Sequence, residues 1–243
     1  MSEKKISFVL PTFNEVGNIE RLIKEIDRCI QGFAKEFIVV DDNSTDGTWQ
    51  LVKKMEKQDQ RVRLILRTAN RGLTPSLQEG IEAAGGNLVS WMDCDLSMPP
   101  AKIPEMIQKI ENGYDCVIGS RFVAGGGVVF IADGPDSLAG IILSMMLNKF
   151  IMMVLGKNIR DYTSGFIVIK RHILNKYRLR GDYGEYFIDL MYRLNSDGYR
   201  IREIPYIFQA REKGVSKTGS NLGMYLSRGW RYVVTVIRLK LIF

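Results

Sequence analysis

The chain has one histidine, His172, whose neighbours Lys170, Arg171 and Ile173 offer it no partner for a catalytic dyad, so chemistry built on histidine is not expected. Its three cysteines, Cys29, Cys94 and Cys116, are scattered without the spacing of a metal site, which excludes a disulfide framework and points to reduced residues and a cytosolic location. No helix-turn-helix, zinc-finger or RNA-binding signature occurs, so nucleic acid is not an expected partner. Met1-Ser2-Glu3-Lys4-Lys5 runs straight into a strand-like segment without a signal-peptide apolar region, and the expectation is a protein working at the cytoplasmic side. The longest apolar stretch, Ile141–Leu155, is broken by Asn148 and Lys149 and falls short of the roughly 20 residues that span a bilayer. Internal repeats and low-complexity segments are absent.

What is present suffices for a folded protein. A length of 243 residues with 46% hydrophobic composition allows one large or two small domains with a proper core. Lys and Arg outnumber Asp and Glu by 34 to 27, a net charge of +7, which suits a phosphate-rich partner or an anionic membrane face.

From residue 6 to 119 short apolar runs alternate with helix-period segments, the arrangement of parallel β/α units. Strands are predicted at Ile6–Leu10, Phe37–Val40, Val62–Leu66, from Leu88, and at Asp115–Gly119. Between them, Ile19, Leu22, Ile23, Ile26 and Ile30 recur at three and four, as do Leu77, Ile81 and Ala84 in Leu73–Ala84, and Pro99-Pro100 opens a helix through Ile103, Met106, Ile107 and Ile110.

Three of the strands discharge into polar clusters. Leu88-Val89-Ser90-Trp91-Met92 ends at Asp93-Cys94-Asp95, and alternate residues leaving a strand point the same way, so both carboxylates are expected to face one hard cation such as Mg²⁺ or Mn²⁺ that bridges to a substrate diphosphate. Phe37–Val40 runs into Asp41-Asp42-Asn43-Ser44-Thr45-Asp46-Gly47, and the first strand into Pro11-Thr12-Phe13-Asn14-Glu15. In an open α/β sheet ligands bind outside the carboxyl ends of the strands, which would put all three clusters on one rim. The competing reading is that these residues only cap helices and make turns.

Beyond residue 119 the pattern changes. Gly125-Gly126-Gly127 suits a mobile loop over the rim. Ile141–Leu155, rich in methionine, reads as a buried core helix or one that lines a groove for lipid. Glu185–Leu194 and Tyr199–Ile207 supply a further helix and strand, and Gln209–Lys217 forms a basic loop in which Arg211, Ser216 and Lys217 offer donors to phosphate. Leu222–Phe243 carries Arg228, Arg231 and Arg238 near one face and apolar residues elsewhere, as a helix lying in a membrane interface would, or one packed on the domain. The expected division is a catalytic domain over 1–220 and a C-terminal amphipathic helix over 221–243.

With these residues assembled, the chain resembles the family 2 glycosyltransferases, and within them the polyprenol-phosphate sugar transferases. The resemblance is carried by Pro11-Thr12-Phe13-Asn14-Glu15 with Asn18, Val39-Val40-Asp41-Asp42-Asn43-Ser44 with Asp46, Arg71-Gly72-Leu73, Asp93-Cys94-Asp95-Leu96, Ile118-Gly119-Ser120-Arg121-Phe122, Asp161-Tyr162-Thr163-Ser164-Gly165-Phe166, and Arg211 with Gly214, Ser216 and Lys217. It implies a Rossmann-like, GT-A-type domain with a mostly parallel sheet that binds a nucleotide sugar. Pro11, Asn14, Glu15, Asp41, Asp42, Asp46, Arg71 and Cys94 are implied around the nucleotide sugar, Asp93 and Asp95 on the metal, and Arg121, Arg211, Ser216 and Lys217 on the acceptor phosphate. Asp161 is expected to orient the sugar or assist as a base. The implied reaction moves a hexose, mannose from GDP-mannose first and glucose or an N-acetylhexosamine from a UDP-sugar second, onto a polyprenyl or dolichyl phosphate with inversion. The implied partners are that donor, the lipid, the membrane surface, and a small anchor subunit or a second copy. A non-catalytic membrane subunit retaining the fold is the reading from another class. Ser97 and Ile167 stand where the family more often has glutamine and arginine.

Overall fold

The computed structural model describes residues 5–129, 138–209 and 222–242, the side chains of 138–141 and 222–228 excepted. Its centre is a seven-stranded sheet built from β1 (Lys5–Thr12), β2 (Ala34–Asp41), β3 (Val62–Leu66), β4 (Leu88–Trp91), β5 (Cys116–Ser120), β7 (Ile167–Lys170) and β8 (Ile201–Pro205), in the order β3-β2-β1-β4-β7-β5-β8. All neighbours are parallel except β7, which runs antiparallel to both β4 and β5. A two-stranded parallel pair, β6 (Gly127–Val128) and β9 (Ile207–Phe208), stands apart from it.

The strands are apolar on both faces because each face is covered. Ile6, Phe8, Leu10, Phe37 and Val39 point into a layer with α1 (Ile19–Cys29), α2 (Thr48–Gln58) and α4 (Ile103–Glu111), the last preceded by a 3₁₀ turn at Pro100–Lys102. Their alternates Val9, Ile38, Val40, Val89 and Trp91 point into the opposite layer, with α3 (Leu73–Ala83), α5 (Leu138–Leu155), α7 (Glu185–Ser196) and α8 (Leu222–Ile242); the short α6 (Arg171–Leu174) follows β7. This is the two-faced burial that makes parallel strands read as continuous apolar runs. Two glycines permit close approach. A Cβ at Gly80 of α3 would lie 2.3 Å from Val9, and one at Gly119 of β5 would lie 2.6 Å from the Phe166 ring.

The five strands expected between residues 6 and 119 and the first helices fall where periodicity put them, within a few residues at their ends. The expected strand Tyr199–Ile207 divides into β8 and β9, and β7 was not expected. The larger correction concerns α5, which is not a buried core helix. Asn148, Ile151 and Leu155 are buried, whereas Ile142, Leu143, Met145, Met146 and Met153 are exposed, Met153 by 74%. α8 packs against α5 and α7 and buries Val236 and Leu239, leaving Trp230, Val234, Ile237, Leu241 and Ile242 exposed together with Arg231, Arg238 and Lys240. Among the described residues no helix is long and apolar enough to cross a membrane.

Candidate active site

The loops that follow β1, β2, β3 and β4 open on one edge of the sheet, because these strands are parallel neighbours. Each of the four loops holds one non-glycine residue with positive φ: Asn14 at 56°, Asn43 at 57°, Asn70 at 50° and Leu96 at 65°. Asparagine tolerates this region, but a γ-branched leucine there carries strain of ~1–3 kcal/mol, of the kind that persists where surrounding structure over-determines the backbone.

The β1 and β2 loops are laced together by their own polar groups. Asp41, fully buried, accepts from the Ser44 amide at 2.8 Å and from the Ser44 and Thr12 hydroxyls at 2.7 and 3.0 Å. Asn14 donates its amide to Ser44 Oγ at 2.8 Å and accepts from the Thr45 amide at 2.9 Å. The Glu15 amide donates to Thr48 Oγ1, and the Asn18 side chain donates to the Glu15 carboxylate. Asp46 accepts from the Thr48 and Val16 amides and the Thr48 hydroxyl at the start of α2. Burial raises the Asp46 carboxyl and these donors outweigh it, so it ends below its ordinary value. Asp41 is thus buried within the loops, whereas Asp46 stays exposed just ahead of Gly47, the N-cap residue of α2.

Asp42 is held in a buried ion pair that sequence reasoning missed. Arg67, at the end of β3, donates Nη1 to Asp42 at 2.6 Å and to Ser76 Oγ at 2.8 Å, and Nε to Glu79 at 2.8 Å. The other Asp42 oxygen accepts from the Gly72 amide at 2.6 Å. A lone arginine in Leu66-Arg67-Thr68 reads as surface, and only its place between two loops makes it a brace. Arg71, by contrast, is exposed and lies over the Phe13 ring at 5.0 Å.

The expectation that Asp93 and Asp95 leave a strand on one face needs correction. β4 ends at Trp91, and both residues lie in the following turn, Asp93 exposed and Asp95 buried. The positive φ of Leu96 reverses the chain, and Ser97 folds back so that its amide and hydroxyl donate to Asp95 Oδ1 at 3.1 and 2.6 Å. The Cys94 thiol donates to the Pro11 carbonyl at 3.4 Å, tying the turn to β1. Among the described residues no three His, Cys, Asp or Glu side chains gather to hold a metal by themselves. The donor set is oxygen only and sparse, which fits a hard cation that keeps water and takes phosphate oxygens from its ligand.

Asp93 faces a second cluster. Arg121 follows β5 at its carboxyl end, and Asp161 precedes the antiparallel β7, so opposite strand directions bring both to the same edge. Arg121 grips the fully buried Asp161 through its backbone amide and Nε at 2.9 Å to Oδ2 and Nη2 at 2.8 Å to Oδ1, while Nη2 also donates to Thr163 Oγ1 at 2.8 Å. Burial opposes the guanidinium charge, but Asp161 and, more weakly, Asp93 outweigh it and push the Arg121 pKa up. Asp161 thus holds Arg121 in place, with both carboxylate oxygens accepting from Arg121 or Thr163. Glu203 fixes the loop from behind by accepting from the Arg160 and Asp161 amides at 2.7 and 3.0 Å, and burial raises its carboxyl. Burial likewise raises the Tyr186 and Tyr206 phenols, with the nearby Asp93 charge adding to it, so both stay protonated.

Arg211, Ser216 and Lys217 lie outside the described residues. The strand that leads to them is anchored beside the acidic turn, where the Gln209 amide donates to the Ser97 carbonyl at 2.9 Å.

Fold and site together define a class, a GT-A-type α/β domain with an acidic turn and a buried arginine on one edge of its sheet. The chain belongs to glycosyl transferase family 2, whose model matches residues 7–178. A dolichol-phosphate mannosyltransferase of Pyrococcus furiosus is 32% identical over 235 residues, 93% of this chain; the chain spans 63% of that relative's length. A polyprenol monophosphomannose synthase of Mycolicibacterium smegmatis is 33% identical over 223 residues, 88% of this chain and 81% of the relative. Among solved structures, glucosyl-3-phosphoglycerate synthase of Mycobacterium tuberculosis in complex with Mn²⁺, UDP and phosphoglyceric acid shares the fold with a TM-score of 0.72 at 18% identity, covering 98% of this chain and 78% of that one.

Proposed function

We propose that this chain transfers mannose from GDP-mannose to a polyprenyl or dolichyl phosphate, with inversion, at a membrane surface. The observation that carries the reading is that two relatives at 32–33% identity over most of the chain are both named for mannosyl transfer to such lipid phosphates. They favour mannose over glucose or an N-acetylhexosamine.

The site chemistry agrees. A phosphate monoester with a second pKa of ~6 is already ionised at neutral pH, so the nucleophile needs no strong base. The engagement of Asp161 by Arg121 then costs nothing catalytically. Its value is to hold the guanidinium charged and aimed, with Nη1 making no hydrogen bond among the described residues, so that an incoming phosphate meets a fixed cation. Phe122 and Phe208 flank the guanidinium at 5.1 and 5.9 Å and keep it from water. Asp93, with Asp95 behind it, would hold Mg²⁺ or Mn²⁺, which when bound supplies Lewis-acid neutralisation of the departing diphosphate. The Asn14 and Ser44 loops and the Arg71–Phe13 stack shape the donor side. Arg211, Ser216 and Lys217 are proposed to complete the acceptor-phosphate site, because their segment starts next to Ser97.

The exposed apolar faces of α5 and α8, interspersed with Arg231, Arg238 and Lys240, are proposed to rest on the bilayer, the region 221–243 acting as an interfacial helix on the catalytic domain 1–220. The test is to incubate the protein with Mg²⁺ or Mn²⁺, a panel of nucleotide sugars and short polyprenyl phosphates, and to weigh the glycolipid formed. Product from GDP-mannose is expected. Product only from a UDP-sugar, or none with any donor, overturns the reading.

A further inference from the structure

The described methionines are segregated. Met92, Met98, Met106 and Met191 are buried in the two core layers, whereas every exposed methionine among the described residues lies on α5: Met145, Met146 and Met153, the last two exposed by 63% and 74%. Ile142, Met146, Lys149 and Met153 recur at four, three and four and form one exposed stripe, flanked by Leu143 and Met145. The anchor of the helix is on its other side. Ile151 and Leu155 are buried there, and Asn148 accepts from the Tyr162 amide at 3.0 Å, tying α5 to the loop that carries Asp161. A change confined to the outer stripe leaves that anchor in place.

Toward an oxidant the thiols are the harder targets. A thiol reacts as its thiolate, and burial disfavours that form in the fully buried Cys116 and in the half-buried Cys29, where the Glu25 charge adds to it. Cys94 is buried as well. A thioether needs no deprotonation, so exposure alone decides which methionine a peroxide meets. Its sulfur attacks one peroxide oxygen, the O–O bond breaks and an S=O bond forms. The hydroxide that leaves takes up the proton of the transferred hydroxyl and departs as water. Sulfur loses two electrons and the peroxide gains them. A flexible apolar side chain becomes a polar one.

We propose that Met145, Met146 and Met153 are an oxidation-sensitive contact: hydrogen peroxide or an alkyl hydroperoxide converts them to sulfoxides, and the chain then no longer settles on a bilayer. The inference rests on the reading of the α5–α8 face as the membrane contact and gives that contact a chemical control. Unbranched thioethers adapt to a fluid surface, and Lys149 reaches past them to the headgroups. Lipid covers the stripe once it is seated, so oxidation takes place on the detached chain and blocks its return.

The test treats the full chain with hydrogen peroxide under native conditions and locates sulfoxides by peptide mass. Co-sedimentation is then measured with vesicles of equal parts phosphatidylcholine and phosphatidylglycerol. Sulfoxide is expected at Met145, Met146 and Met153 ahead of the four buried methionines, with the melting temperature unchanged, and vesicles added before peroxide should protect the three. Adsorption should weaken by about tenfold for each of Met146 and Met153 oxidised, and methionine sulfoxide reductases of both epimer specificities should restore it. The triple variant Met145→Leu, Met146→Leu, Met153→Leu should adsorb as the native chain does and keep its affinity after peroxide. Oxidation that leaves adsorption intact, a loss that the triple variant shares in full, or equal oxidation with and without vesicles overturns the proposal alone. A native chain that adsorbs to no vesicle overturns the membrane reading and the proposal with it.

Discussion

The rim of the sheet and the α5–α8 layer treat exposed chemistry in opposite ways. On the rim nearly every acid is already bound by the protein: Asp41 by Thr12 and Ser44, Asp42 by Arg67 and Gly72, Asp161 by Arg121 and Thr163. On the α layer, methionines, isoleucines and a tryptophan are left open to solvent. The difference teaches where rigidity is needed. On the proposed function, directional hydrogen bonds fix loops that would meet a charged donor in one geometry, whereas an apolar face resting on a fluid bilayer would need area rather than alignment.

The comparison breaks first at Arg121. Arg121→Ala is expected to lower glycolipid formation by ~10²–10³-fold, as loss of a preorganised charge donor does. Stranding Asp161 should also destabilise the fold by ~3–5 kcal/mol. Product yield and urea unfolding measured on the same variant separate the two losses, and near-normal transfer would place the reacting centre elsewhere.

Asp42→Ala comes next, with an expected cost of ~1.5–3 kcal/mol, because it removes the buried acceptor of Arg67 and of the Gly72 amide and leaves Arg67 only the half-exposed Glu79 as counter-ion. Pairing it with Arg67→Met should restore most of the loss in the urea midpoint. If Asp42→Ala instead weakens nucleotide binding at unchanged stability, Asp42 is a ligand contact rather than a brace.

On the α layer the expectation inverts. Ile237→Glu with Leu241→Glu, both exposed, should shift stability by only ~0.5 kcal/mol each yet abolish adsorption to anionic vesicles. A large drop in melting temperature would mean that this face is covered by protein.

The smallest effect is that of acid. Burial raises the carboxyls of Asp27, Glu36 and Asp115, and Lys35 with Arg61, Lys5 with Ser7, and Lys170 outweigh it, so each ends below its ordinary value. A folded pKa below the unfolded one gives stability that is present above the unfolded value, ~4, and is lost as pH falls through the folded value. Glu203 has the opposite sign, since its raised carboxyl is relieved by acid. Because these sites are partly exposed the loss should be modest. Amide exchange should therefore quicken at the ends of β1, β2 and β5 below pH ~4 before the Asp161 loop that Glu203 supports, and the reverse order would contradict these assignments.

Much of this was legible beforehand because the relevant signals are local. The apolar runs at Ile6–Leu10, Phe37–Val40 and Val62–Leu66 are long enough to read as strands, and the Asp, Asn and Ser residues after them mark the rim. β7 was not legible: Ile167-Val168-Ile169-Lys170 is four residues long, and its antiparallel course follows from the Asp161 loop arriving at the rim, not from its composition. The exposure of α5 was hidden too, since a helix apolar all round carries no stripe to say which side is covered.

The order of β/α units, the clustering of acids after strands and membership of a glycosyltransferase family are properties of the sequence itself, because periodicity and motif spacing act between near neighbours. Which acids remain open was decided only by tertiary structure. Whether Asp42 meets Arg67, Asp161 meets Arg121, or Asp93 stays exposed while Asp95 is buried depends on residues 2 to 40 positions apart being brought together or turned away by the sheet, and no local pattern encodes that choice.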